Sequence, residues 1–408
     1  MRYTFRVLRA AILLAALMNL CGAFRAECLP LYAARQGLKC QSCHFDPNGG
    51  GPRNESGFVF ARNRHSSEPD TTGPWQDLDL VNRASESLPV YFGLDQRFML
   101  FGNSTSGSDS IDRLVFFNME NAAYLVFQPH ARLTLVYVRD GFDEGSMSHD
   151  AFGMISGLPG NSYLKAGRFR TPFGLRMDDH TVATRNSFLA FQDHGSFLPY
   201  DPRHPDMGVE VGADRGRFFA RAAFTNGATQ FFDREAFANA TTLKLGCSHA
   251  TGQVAVSFYD NPVIGNAGRF KRATRWGAYG LAHWSRFAFI GELGAGTDQH
   301  VGGGKLNLLA GYAEANYEVS RIVNLRARYE QFLGDRDRTF ITRPDNSRVS
   351  RGDLASYQRY SLEGELQPVP FAELRWSLCL IDPRASADED GHKRETETQS
   401  YLQFHFSY

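Results

Sequence analysis

The sequence predicts an all-β fold: an antiparallel β-barrel of about 16 strands preceded by a small cysteine-bearing region. Three observations carry this. Short segments with period-two alternation fill the chain from Leu88 to Tyr408, and the links between them alternate long and tight. Aromatic residues make up 13% of the chain although its mean hydropathy is only −0.36, which suits a barrel with an apolar outside and a polar inside.

The first 26 residues form the first unit. Arg2, Arg6 and Arg9 precede an apolar run from Ala10 to Leu20, and small residues follow at Cys21, Ala23 and Ala26. This is the layout of an export signal cleaved after Ala23 or Ala26. A lipoprotein site at Cys21 is disfavoured because Leu20 occupies a position that needs a small residue. Beyond Arg25 no apolar run approaches the roughly 20 residues of a membrane helix, so the exported chain is either soluble or inserted as strands. Lys+Arg and Asp+Glu both number 44 and are spread without blocks, which gives no basic face for nucleic acid.

Residues 27–87 form the second unit. Its core is Cys40-Gln41-Ser42-Cys43-His44, the C-x-x-C-H pattern of c-type haem attachment. Two thiols at that spacing can add to the two vinyl groups of one porphyrin, and the adjoining imidazole then serves as proximal ligand to the iron. The rival readings are a redox dithiol and half a zinc site. Neither has its context: there is no second C-x-x-C or C-x-x-H, and no βαβ pattern surrounds the motif. Cys28, Cys247 and Cys379 are too few and too widely spaced for a disulfide framework. One covalent haem c is therefore expected, on Cys40, Cys43 and His44.

His65 is the only other histidine between His44 and the barrel, where no Met occurs, and is the distal-ligand candidate. A solvated loop histidine is the alternative. If the haem sits in the barrel mouth, His130, His283 or His405 could compete. Gly49-Gly50-Gly51 between prolines reads as loop, either a hinge or backbone lying close against the porphyrin. At about 60 residues the unit is too small for a self-sufficient core, so it is expected to lean on the haem and the barrel.

The third unit, 88–408, supplies the strands. Long links are expected at 102–113, 141–149, 170–205, 227–238, 261–271, 297–305, 334–354 and 383–394, with turns of one to three residues between them. That layout with an even strand count is the outer-membrane pattern, and it puts both termini on the periplasmic, short-turn side. In Val323-Asn324-Leu325-Arg326-Ala327-Arg328-Tyr329-Glu330 one face is apolar and the other polar. A soluble sandwich would bury the apolar face instead. The alternation of Leu402, Phe404, Phe406 and Tyr408 up to a terminal aromatic resembles the last-strand signal of outer-membrane assembly and favours the barrel.

With motif and barrel both in place, the chain resembles the fused monohaem cytochrome–porin family of iron-oxidising and other electrically active bacteria. Within the barrel, Tyr163 to Leu175 also resembles a strand and loop of phosphate-selective porins. The resemblance implies electron transfer across the bacterial outer membrane, by an electron carrier more than a conventional enzyme, with metal or iron oxidation or reduction left open. The haem region would lie at the periplasmic side or in the lumen. The implied partners are a periplasmic soluble cytochrome or other electron carrier, outer-membrane lipid, and an extracellular metal ion or small redox molecule.

The alternative is a solute porin, anion-selective through lumen arginines Arg217, Arg221, Arg326, Arg328, Arg359 and Arg375, with a structural or sensory haem. These arginines could equally pair with Glu330, Glu363 and Glu373 and merely brace the barrel. A haem peroxidase is the least favoured reading, because no distal acid and base can be identified. The 170–205 link carries Asp178, Asp179, His180, Asp193, His194, Asp201 and His204, with Asp206 directly after it. It is expected to be a solvated surface loop, unless it folds into the lumen as a constriction.

Overall fold

The computed structural model describes residues 30–71, 73, 80–85, 87–105, 113–140, 148–175, 182–186, 200, 205–227, 240–262, 270–300, 305–334, 340–342, 348–350, 356–383 and 396–408. The expected export signal, Cys28, and the link residues Asp178, Asp179, His180, Asp193, His194, Asp201 and His204 lie outside the described residues.

Sixteen strands close into one antiparallel barrel. In chain order they are β1 (Val90–Thr105), β2 (Arg113–His130), β3 (Leu133–Asp140), β4 (Ser148–Leu158), β5 (Ser162–Phe169), β6 (Asp206–Arg215), β7 (Phe218–Thr225) and β8 (Ala240–His249). There follow β9 (Gly252–Pro262), β10 (Phe270–Trp284), β11 (Phe287–His300), β12 (Lys305–Ser320) and β13 (Val323–Gly334). A separate hairpin, β14 (Phe340–Thr342) with β15 (Arg348–Ser350), interrupts the next long link. The barrel then resumes with β16 (Tyr357–Val369), β17 (Ala372–Pro383) and β18 (Glu397–Ser407). Each strand pairs with its sequence neighbour in the barrel, and β1 closes the ring on β18 with Phe98 opposite Phe404 and Leu100 opposite Leu402. Closure leaves no unpaired sheet edge.

The distribution of side chains is that of a protein turned inside out. Leu114, Phe116, Phe218 and Trp284 are 63–71% exposed on the outer face, whereas Lys165, Glu210, Arg275, Asp298 and Glu330 are fully buried on the inner one. In β13, Asn324, Arg326, Arg328 and Glu330 point inward and Leu325 outward. A soluble sandwich is thereby ruled out, since its apolar faces would be the covered ones.

Lumen charges are matched. Arg275 pairs with Asp298 at 2.6 Å, Arg326 with Glu363 at 2.9 Å, Arg328 with Glu314 at 2.9 Å, and Arg375 with Glu373 at 2.6 Å. Arg221 meets Asp214, and Arg359 meets Glu330. The bracing role expected for these arginines is what the geometry shows. Arg217 is different: it sits exposed in the tight β6–β7 turn, not on the lumen wall. Strand alternation does not extend through a turn, so the inward position expected for Arg217 from its neighbours does not hold.

The lumen is filled by the chain itself. Helix α1 (Pro30–Gln36) opens with a proline, whose fixed φ suits the first helical turn, and ends where Gly37 N–H donates to Ala33 O at 2.9 Å. Leu31, Tyr32, Ala33 and Ala34 are all buried, and α1 packs on β9, β10 and β11. Helix α2 (Glu55–Arg62) is capped by the Asn54 side chain, which accepts from Gly57 N–H at 3.0 Å. Glu55 in the first turn and Arg62 in the last complement the helix dipole. Part of the 170–205 link is inside as well: Phe173, Leu175, Val182, Ala183 and Tyr200 are buried. The four-residue helix α3 (Ala183–Asn186) carries Arg185, which pairs with Glu292 of β11 at 3.1 Å. These described residues form a lumen constriction, not a surface loop. Asp206 opens β6 and accepts from Gly227 N–H at 2.7 Å.

Candidate functional site

Cys40–Ser42 form a 3-10 turn closed by Cys43 N–H donating to Cys40 O at 3.1 Å, and His44 N–H donates to the same oxygen at 3.0 Å. The chain then doubles back. Phe45 N–H donates to Pro52 O at 3.2 Å and Asn54 N–H to Cys43 O at 2.9 Å, so the two arms flank a bend made by Gly49, Gly50 and Gly51. All three glycines have positive φ. At Gly49 a Cβ would also lie 3.1 Å from both Cβ and Sγ of Cys40. The triplet therefore serves close approach to Cys40 more than hinge motion.

Gly57 has the same role for the other thiol. A Cβ there would stand 2.2 Å from the Cys43 carbonyl oxygen, a backbone atom that no rotamer change can move. Gly57→Ala is expected to push α2 off the motif at a cost of about 1–3 kcal/mol. Faster proteolysis of this segment within an intact barrel checks it.

Cys40, His44 and His65 line one lumen cavity, together with Gly49–Gly51, Arg53 and His405. Cys43 is buried behind it against Gly57. The two sulfurs are unbridged thiols, and burial pushes the Cys40 thiol up from its ordinary range. A redox dithiol needs the opposite shift. Among the described residues no three His, Cys, Asp or Glu side chains converge as a metal-ligand set, so the zinc reading gains nothing.

His65 follows α2 at a positive φ of 55°, and its N–H donates to Phe60 O at 3.0 Å. Its ring stacks on Tyr32 with centroids 4.5 Å apart and planes 23° from parallel. The Gln367 side-chain amide lies 2.6 Å from Nδ1, while Nε2 is buried with no hydrogen-bond partner. Burial, reinforced by Arg53, lowers the His65 pKa to about 3, so the imidazole is neutral at physiological pH. A neutral ring held at one nitrogen and unsatisfied at the other is the form in which histidine binds metals. His65 is thus not a solvated loop residue.

The competing histidines are otherwise engaged. His405 Nε2 is 3.0 Å from Asp95, and its Nδ1 is 3.7 Å from Glu373. His283 Nδ1 donates to Ala34 O at 2.6 Å. His130 accepts from Arg132 N–H in an exposed turn.

Several residues that the sequence did not single out complete the site. Arg53 donates to Ser407 O at 2.7 Å and Ser407 Oγ at 3.1 Å and faces the cavity as a cation whose hydrogen bonds go to no carboxylate. It suits a carboxylated ligand. Behind the glycine bend, Lys165 Nζ stands 3.0 Å from Asp46 and 3.0 Å from Glu210, whose other oxygen accepts from Asn48 at 2.8 Å. At the short-turn end, Lys39 reaches Asp214 at 3.0 Å and Arg321 donates to Asn63 O at 3.0 Å and Glu68 O at 2.7 Å. The motif-bearing segment is thus seated in the short-turn mouth. A second cavity runs beside it, lined by Arg97, Arg326, Arg359, Arg375, Glu363 and Gln403.

No protein-family profile matches the chain, and no curated protein matches it in sequence. Solved structures do match in shape. An anion-selective porin from Comamonas acidovorans superposes with TM-score 0.56 at 9% identity, covering 78% of this chain and 99% of that one. The fold is that of the bacterial porins. The outer membrane channel DcaP of Acinetobacter baumannii gives TM-score 0.56 at 12% identity over 81% of this chain and 100% of its own. OmpT, an outer membrane protein of Vibrio cholerae, gives 0.54 at 11% over 78% and 97%. At these identities the likeness is one of fold, and it is to the porin part of the predicted architecture.

Proposed function

We propose that this chain is an outer-membrane barrel whose plugged lumen holds one covalent c-type haem and passes electrons between a periplasmic carrier and an acceptor or donor at the cell surface. The observation that carries this reading is the convergence of Cys40, His44 and a neutral, one-side-anchored His65 on a single lumen cavity. Cys40 and Cys43 would hold the group through thioethers, His44 and His65 would supply nitrogens to its iron, and Arg53 would meet a porphyrin carboxylate. A haem held there supplies a reversible one-electron couple.

The chain's own part is to fix that group and keep water from it. Tyr32, Phe60, Leu175 and Leu281 belong to one buried cluster beside the cavity. The apolar band of such a barrel is about 25 Å tall, and the motif lies near its short-turn end. A periplasmic carrier therefore needs only to reach the mouth, while the second redox partner, a metal ion or small redox molecule, approaches through the lumen from the long-loop side.

A second reading, a solute-conducting porin with a structural or sensory haem, draws support from the fold likeness, which by itself favours it over electron transfer. The arginine-lined cavity beside the plug adds to it. Purified protein in liposomes loaded with a haem-reducible dye separates the two. Electron transfer predicts dye reduction from outside that disappears in Cys40→Ala/Cys43→Ala while ion conductance stays unchanged. Equal dye reduction in the variant sinks it and leaves the porin reading.

A further inference from the structure

We infer that Gln367, at the short-turn end of β16, is a positioning residue that selects the tautomer of His65 and so makes Nε2 the iron-facing ligand atom. The inference rests on the haem reading above and deepens it.

The Gln367 amide nitrogen, as placed, is within hydrogen-bond reach of three groups: the Tyr32 hydroxyl, Glu365 Oε1 at 3.0 Å and His65 Nδ1 at 2.6 Å. An amide NH2 has only two hydrogens. If one of them goes to Nδ1, the His65 proton must sit on Nε2, and the nitrogen facing the cavity has no lone pair for a metal. A half-turn of the amide, which leaves its shape unchanged, puts Oε1 in that place. There it accepts from Nδ1–H, and the Nε2 lone pair is left free; the single Tyr32 hydroxyl hydrogen goes either to this oxygen or to Glu365 Oε1 at 3.1 Å, and a proton on Glu365 bridges the two oxygens 3.0 Å apart.

Metal-bound histidines characteristically donate their second ring N–H to an oxygen acceptor, which fixes the ring and raises its basicity. Gln367 is placed to be that acceptor. It comes from the barrel wall, 302 positions along the chain from the imidazole it would orient. Tyr32 contributes from the plug by stacking on the ring and sharing the amide. The ligand therefore gains its orientation only once the plug is seated in the barrel.

The test uses the full chain, expressed in a host that attaches c-type haem, with covalent haem, spin state and midpoint potential as readouts. Gln367→Leu removes the acceptor without touching the motif. Covalent haem is expected to remain at the wild-type level, while the six-coordinate low-spin spectrum changes to a high-spin or mixed one and carbon monoxide binds faster. Gln367→Glu keeps an acceptor and strengthens it, so it is expected to stay low-spin with a midpoint potential below wild type, because a more basic imidazole favours ferric iron. Covalent haem with wild-type spin state and potential in both variants overturns the role of Gln367 alone. No covalent haem in the wild-type chain overturns the haem reading and this inference with it. If Gln367→Leu does not fold, Gln367→Glu decides: an unchanged potential there refutes the inference.

Discussion

Removing residues 28–88 while keeping the export signal is expected to turn a closed barrel into an open one, with single-channel conductance in planar bilayers rising at least tenfold over the full chain. The described plug occupies the short-turn mouth with two helices and the glycine bend, and its buried apolar residues include Leu31, Tyr32, Ala34 and Phe60. The wall behind it is mixed: Tyr279, Leu281 and Ile290 share the plug's apolar cluster, while Asp214, Glu210, Asn324 and Glu365 all make hydrogen bonds or ion pairs to plug residues. Freed of the plug, those groups are rehydrated by lumen water, so the barrel loses little. Its strand pairing does not need the plug: the ladders of the closed ring run between neighbouring strands, and the deletion removes only the short flanking pairing in which Phe92 N–H donates to Asn82 O and Ala84 N–H to Val90 O. A deletion variant that assembles but conducts no better than the full chain would show that the constriction at Phe173 to Leu175 and Val182 to Asn186, not the plug, closes the path. Loss of assembly would show instead that the plug is part of the folding unit.

That distinction bears on what the sequence made legible. The barrel could be read because each strand repeats the same local code. Inward and outward residues alternate between turns short enough to fix direction, and the expected strands coincide with the observed ones to within a few residues. Errors occur where the code stops. Arg217 lies in a turn, the β14–β15 hairpin interrupts a link with no alternation to announce it, and β1 runs to Thr105 past its expected end at 101. The plug is the opposite case. C-x-x-C-H names its own chemistry locally, but the placement of His65 depends on Gln367 and Tyr32, which are distant in sequence and ordinary in type. A signal was present for Gln367: it extends the inward run of Glu363 and Glu365 in β16 to the last position before Pro368. Nothing in the sequence connected that run to His65. Arg53 and Lys165 escaped for the same reason, since their partners are supplied by the closed barrel.

Lys165→Met is expected to have the largest effect of any single substitution on the seating of the plug, about 3–5 kcal/mol. The Lys165 side chain is completely buried, with Asp46 of the glycine-bend segment on one side and Glu210 of β6 on the other, each 3.0 Å away. Its ammonium also lies 4.5 Å from the Phe169 ring centroid and 5.2 Å from that of Phe152. Desolvating a lysine this fully is offset only while both carboxylates remain ionised beside it. Methionine matches the stem in length but leaves Asp46 and Glu210 facing each other across a dry gap, where like charges repel strongly. The less constrained partner then moves, and Asp46 is on the plug. The expected result is a barrel that still resists detergent and heat as the wild type does, with the segment around Cys40 and Cys43 newly open to protease and to thiol reagents. In Lys165→Met/Asp46→Asn/Glu210→Gln the charges go together, and the neutral side chains can hydrogen-bond at similar volume. Protection should return to near the wild-type level, since replacing a whole buried ion cluster is often neutral where breaking it is not. If the triple variant is as exposed as the single one, the effect of Lys165 comes from its packing against Phe152 and Phe169 instead of its charge.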